Sequence, residues 1–87
     1  MYKAEVVLKN ETGLHARPAS LLVKEAAKYK SDLKIIKDGK EFNGKSIMGI
    51  ISMGADKGTK LTIIAEGVDE KEVVLSIKDL IENKLEG

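Results

Sequence analysis

The 87-residue chain has no cysteine and no tryptophan, and only one histidine, one proline and one phenylalanine. Without cysteine there is no disulfide framework, no thiolate nucleophile and no thiolate-held metal, which fits a reducing compartment. Aromatic residues make up 3% and the net charge is +1, from 15 basic and 14 acidic residues. Neither the basic excess nor the stacking platform of a nucleic-acid binder is therefore present. No apolar run approaches the roughly 18 residues of a membrane span. Met1-Tyr2-Lys3-Ala4-Glu5 opens a strand-like alternation where a signal peptide would place an apolar segment. A lone histidine does not supply the three protein ligands of a catalytic zinc site. No GxxxxGK[ST] or GxGxxG phosphate loop occurs, and no GxSxG nucleophile elbow. No resident cofactor is expected. What is there, 43% hydrophobic and 33% charged residues, is the balance of one small globular domain spanning 1–87. At this length the usual stability per residue gives about 4–13 kcal/mol.

Along the chain, Tyr2, Ala4, Val6 and Leu8 alternate with Lys3, Glu5 and Lys9, the period of a half-buried strand, with Val7 as an apolar exception. Asn10-Glu11-Thr12-Gly13 is turn-forming. Ala19, Leu22, Val23, Ala26 and Ala27 then recur at helical spacing, predicting an amphipathic helix over about Ala16 to Lys28. Leu33 and Ile35 mark a second strand. Asp38-Gly39 predicts a type I′ hairpin turn, and Lys40–Asn43, with Phe42 its only large apolar residue, reads as an edge strand. Ser46 before, and Gly54 after, the run Ile47-Met48-Gly49-Ile50-Ile51-Ser52-Met53 predict a short capped helix. Leu61, Ile63 and Ala65 alternate in a fourth strand, with Ile64 the exception. Asp69 reads as an N-cap with Glu72 as its capping-box acid and Glu70 at the positive end of the dipole. Val73, Val74, Ile77, Leu80, Ile81 and Leu85 give the last helix its buried stripe. The order β-α-β-β-α-β-α, with one apolar face per strand and one stripe per helix, predicts an α+β fold. That fold is an open-faced β-sandwich: a four-stranded, mostly antiparallel sheet covered on one face by three helices.

The chemistry centres on Gly13-Leu14-His15-Ala16-Arg17-Pro18-Ala19. A lone histidine is more often structural than functional, but three features favour function here. Extending the apolar stripe back from Ala19 reaches Ala16 and leaves His15 off it. A glycine-containing turn precedes it. Proline, tolerated in a first helical turn, places it at a helix N-terminus, where anions are favoured. Histidine's unperturbed pKa, about 6.5, leaves a nucleophilic nitrogen available near neutral pH. If His15 carried a phosphoryl group, free backbone N–H groups and Arg17 would stabilise the added charge. Ser20 offers a hydroxyl, although ordinary helix surface explains it equally, and a solvated first-turn charge explains Arg17. Ser46 is accounted for as a helix cap. A phosphate there would act by placing negative charge on the surface around Ile47, Met48 and Ile51. With no nucleotide site in the chain, a phosphoryl group would come from another protein and pass to another.

Thr12-Gly13-Leu14-His15-Ala16-Arg17-Pro18-Ala19 resembles the active-site signature of HPr, the histidine-containing phosphocarrier family of the bacterial sugar phosphotransferase system. Asn43-Gly44-Lys45-Ser46-Ile47-Met48-Gly49, onward to Met53-Gly54, resembles the regulatory-serine signature of the same family. The resemblance covers the whole chain. It implies a carrier without independent catalytic activity, acting in the cytoplasm. In that role His15 accepts a phosphoryl group at Nδ1 from enzyme I, ultimately from phosphoenolpyruvate, and gives it to IIA domains of sugar permeases. Arg17 would steady the phosphate. Ser46 would be the site of an HPr kinase/phosphorylase whose product slows transfer and serves a catabolite-control transcription regulator. Ala16, Ser20, Ile47, Met48 and Ile51 would meet partners. Direct nucleic-acid binding and membrane insertion are not expected, and a monomer is, since a carrier presents one face to several partners in turn. The alternatives are a nitrogen- or dihydroxyacetone-related branch with the same chemistry, or a purely regulatory HPr-like binding module. Ala55-Asp56 stands where many members carry a larger aliphatic residue.

Overall fold

Four strands, β1 (Tyr2–Val7), β2 (Asp32–Lys37), β3 (Lys40–Asn43) and β4 (Lys60–Glu66), form one sheet in the order β1-β4-β2-β3. The structure is a computed structural model that describes residues 1–11 and 13–85. Every strand pairing is antiparallel. The helices α1 (Ala16–Ala26), α2 (Ile47–Met53) and α3 (Glu70–Asp79) all lie on one face of the sheet. This is the α+β open-faced sandwich that the alternation and the helical stripes require. No helix among the described residues is long and apolar enough to cross a membrane.

The register explains how the strands settle. Ala4, Ile63, Ile35 and Phe42 share one row across all four strands, on the side the helices cover. Leu8, Ile35, Leu61 and Ile63 are fully buried there against Leu22, Ile50, Val73 and Ile77 of the helices. The two apolar exceptions point the other way: Val7 is exposed and Ile64 half-buried on the uncovered face. Asp38 and Gly39 both take positive φ, 51° and 79°, the twist that a two-residue I′ turn shares with its strands.

α2 is capped at both ends by the residues the sequence offers. Ser46 Oγ accepts a hydrogen bond from the Gly49 N–H at 3.1 Å, and Gly54 closes the helix in the left-handed region at φ 66°. Lys37, at the end of β2, adds a cation to that C-terminus by donating from Nζ to the Met53 carbonyl at 3.1 Å. Beyond Asp79, α3 continues as a wider π-type turn over Leu80–Lys84. Ile77, Ile81 and Leu85, spaced by four, would drift around a 3.6-residue helix; the wider turn takes up the drift and keeps all three buried.

Three expectations are corrected. Ala27 is exposed, because α1 ends at Ala26 and the chain turns away. Ala16, where the stripe was extended back, is exposed as well. Asp69 occupies the N-cap position of α3 without capping it, and Glu72 makes no capping box. Instead the Asp69 carboxylate accepts from the Ser31 hydroxyl and from the amides of Lys30 and Ser31, both at 2.9 Å, tying the α1–β2 connection to the start of α3. Glu70 Oε1 accepts from the Gly67 N–H at 3.1 Å, which holds the turn ahead of α3 without capping the helix.

The clamp has a pH signature. The Ser31 hydroxyl first, and the Lys30 amide next, lower the Asp69 carboxyl to about 2. A carboxyl lowered on folding contributes stability above its unfolded value, near 3.9, and loses it as pH falls through the folded one. An Asp69→Asn variant should therefore be less stable than the parent at neutral pH, and the gap should close between about pH 4 and pH 2. Denaturant unfolding at a series of pH values checks this; a gap that stays constant over that range would contradict it.

Candidate functional site

His15 is the N-cap of α1, in extended conformation at φ −81° and ψ −169°. Its carbonyl accepts from the Ala19 N–H at 2.8 Å, while its side chain is exposed and makes no cap hydrogen bond. The amides of Ala16 and Arg17 have no intrahelical acceptor, as in any first turn. No acidic residue shares that turn. Arg17 is exposed and has no ion-pair partner among the described residues. Pro18, the third helical residue, is buried and anchors the helix start to the core. The helix mouth thus gathers an imidazole, two first-turn amides and a guanidinium that, among the described residues, has no ion-pair partner and no acid in its turn. That set suits an oxyanion with several acceptor oxygens.

The loop that carries the histidine is held from behind. Asn10 is buried and donates from Nδ2 to the Gly13 carbonyl at 2.7 Å, closing the turn. Gly13 takes φ 66° and packs so closely on the α2–β4 connection that a Cβ there would stand 2.4 Å from the Ala55 carbonyl oxygen. The same oxygen accepts from the Leu14 N–H at 2.9 Å. Glu11 and Lys57 form an ion pair across the two segments. Thr12, part of the histidine motif, lies outside the described residues.

Ser46 opens a different helix from His15. α2 packs on α1, but it is the chain just past the far end of α2, at Ala55 and Asp56, that touches the histidine loop. Over seven residues the helix rises about 10 Å, so Ser46 does not share the histidine's immediate surroundings. Of the residues expected to meet partners, Ala16 is exposed and Ser20 half-buried, and neither side chain makes a hydrogen bond among those described. Ile47, Met48 and Ile51 keep 40%, 73% and 38% of their surface accessible, more than a helix that merely covers the sheet would leave. Leu21, 42% exposed one turn beyond Arg17, extends this apolar surface onto α1 and was not among the residues singled out. Its signal in the sequence is an apolar residue on the polar side of the α1 stripe. Ala55, whose contribution is a main-chain carbonyl, has no such signal.

An open-faced sandwich that holds one exposed histidine at the mouth of its first helix defines a class of small histidine-presenting α+β proteins. Residues 2–83 match the family described as the PTS HPr component phosphorylation site. The chain belongs to the HPr family of the phosphotransferase system. It is 41% identical over 85 residues to the HPr-like protein Crh of Bacillus subtilis, covering 98% of this chain and all of that one. The crystal structure of an HPr from Thermoanaerobacter tengcongensis superposes with a TM-score of 0.94 at 47% identity, over 98% of this chain and 96% of that one. A crystal structure of B. subtilis Crh, described as a swapped, intertwined dimer, gives 0.78 at 42% identity over 97% of each chain. These matches support a phosphocarrier or regulatory, HPr-like role for the chain.

Proposed function

We propose that the chain is the phosphocarrier of a sugar phosphotransferase system, working in the cytoplasm between enzyme I and the IIA domains of sugar permeases and without catalysis of its own. The observation that carries this reading is the exposed, uncapped His15 beside the unpaired Arg17, with no acid in the first turn of α1. Nδ1 of a neutral His15 attacks the phosphorus of phospho-enzyme I in line with the bond to the donor. That bond breaks as the new P–N bond forms, and the phosphoryl group later leaves to a IIA domain by the same in-line exchange. Arg17 and the first-turn amides offset the charge of the phosphoryl oxygens without engulfing them, so release stays facile. The exposed Ile47, Met48 and Ile51 form the apolar part of the docking surface. Each partner meets this edge in turn, so the edge has to stay free.

The test is incubation with enzyme I and labelled phosphoenolpyruvate. Acid-labile, alkali-stable label should accumulate at one per chain, and absence of label would sink the reading. Arg17→Ala should fold normally and lower the rate of labelling by roughly 10–100-fold, the worth of one charge-assisted hydrogen bond. Normal transfer with a loss of stability would instead make Arg17 structural.

Ser46 is proposed as the brake, modified by an HPr kinase/phosphorylase and read by a catabolite-control transcription regulator. Aspartate is as good an N-cap as serine, so Ser46→Asp adds charge without undoing α2. Labelling by enzyme I should slow by about tenfold or more, with the thermal midpoint little changed. Unchanged kinetics would count against the brake. The similarity to Crh supports a second reading, a purely regulatory module acting through Ser46. On that reading the wild type takes no label from enzyme I but is still a substrate of the serine kinase.

A further inference from the structure

The uncovered face of the sheet carries charge in rows that run across the strands. The first row pairs Glu66 of β4 with Asp32 of β2. The second is Lys3, Ile64, Lys34 and Asn43. The third is Glu5, Thr62, Ile36 and Glu41, and the fourth pairs Val7 with Lys60. The rows therefore read negative, positive, negative, positive along the strands. All seven charged residues are exposed.

Alternation of sign helps a single sheet avoid self-repulsion, and Lys34 and Glu41 use it, pairing diagonally at 3.4 Å. It does not account for the rest. Lys3, Glu5, Asp32, Lys60 and Glu66 have no ion-pair partner among the described residues. Asp32 and Glu66 stand directly opposite one another on neighbouring strands, where like charges are unfavourable.

We propose that this face is a self-complementary interface that takes a second copy of the chain. Consider a two-fold axis lying in the face, parallel to the rows and between the second and third. It sets each strand against its own copy and matches row one with row four and row two with row three. Lys3 then meets Glu5 of the second copy. Glu66, beside a shallow hollow that Ile64 and Met1 help to line, meets Lys60 of the second copy, one strand over from Asp32. Ile64 meets Thr62, the Asn43 amide meets Glu41, and Met1, 75% exposed, meets Val7, 41% exposed. Each match occurs twice, and no like charges in the rows are opposed. The geometry is that of two aligned sheets stacked face to face.

The twelve positions in these rows cover roughly 400 Å² per copy from strand spacing and rise. The total, roughly 800 Å², lies below the usual range of stable interfaces, so association is weak, reversible and sensitive to salt. None of its residues belongs to the histidine site, so the contact does not draw on the phosphocarrier reading.

The test uses charge reversals on the full chain, followed by sedimentation equilibrium and NMR shift changes over protein concentration at low salt. The wild type should self-associate, with shifts confined to this face and weakened by added salt. Lys3→Glu and Glu5→Lys should each weaken association by about tenfold or more, because each opposes like charges across the axis. A one-to-one mixture of the two should regain it, since glutamate at 3 then meets lysine at 5 and the reverse. The double reversal in one chain should regain it too, which keeps the test decisive if a single variant folds poorly. A wild type that stays monomeric at millimolar concentration overturns the proposal. So does a mixture no stronger than its components. A slow, salt-insensitive dimer indifferent to both reversals, as exchange of β1 between copies would give, overturns it as well.

Discussion

Replacing His15 with alanine should abolish uptake of acid-labile phosphate from enzyme I and phosphoenolpyruvate while leaving the fold intact. The sequence contains no second histidine, so no other residue can form a phosphohistidine. The loss should exceed about a thousandfold and be limited by background, because the variant lacks the atom that forms the bond and not merely a group that stabilises it. The cost to stability should be small. The side chain is exposed and makes no cap hydrogen bond, and the backbone role of residue 15, accepting from the Ala19 N–H, survives in alanine. Calorimetry alongside labelling separates the two effects. Label on the variant equal to that on the wild type would place the phosphate elsewhere.

The second large effect is expected at Gly13, which touches no partner and carries no side chain. An alanine there must hold a left-handed φ of 66°, at a cost of about 1–2 kcal/mol. Its Cβ would also stand 2.4 Å from the Ala55 carbonyl oxygen, a main-chain atom that cannot swing aside. The loop has to lift, and with it goes the Leu14 N–H to Ala55 bond, worth about 1 kcal/mol. The sum, about 2–3 kcal/mol, is a substantial part of the roughly 4–13 kcal/mol available to a chain of this length. Transfer should suffer beyond the loss of folded protein, because the lifted loop no longer sets His15 at the helix mouth. Denaturant unfolding and labelling of the fully folded fraction measure the two parts. A Gly13→Ala protein with parental stability and rate would mean that the Ala55 seat does not position the histidine.

What was legible in the sequence was local. Period-two alternation gave the strands, down to Val7 and Ile64 on the open side. Asp38-Gly39 specified the I′ turn, and Ser46 with Gly54 bracketed α2, because caps and tight turns are decided by residues three or four apart. The position of His15 off the α1 stripe was readable for the same reason. What escaped involved partners far apart in the chain. Asp69 looks like a helix cap, and its local sequence gives no hint that Lys30 and Ser31 lie within reach to claim its oxygens. The Ala55 carbonyl has no residue-type signature at all. The rows on the open face appear only once the register fixes which residues stand side by side.

The central claim is that one imidazole nitrogen of His15 carries the phosphoryl group. Nitrogen-15 NMR of the imidazole before and after incubation with catalytic enzyme I and excess phosphoenolpyruvate tests it most directly. The expected result is a single modified histidine in which Nδ1 is substituted and Nε2 retains a free site, with the spectrum reverting when acid releases the phosphate. An imidazole spectrum unchanged by incubation, or phosphate recovered on any residue other than His15, would contradict it.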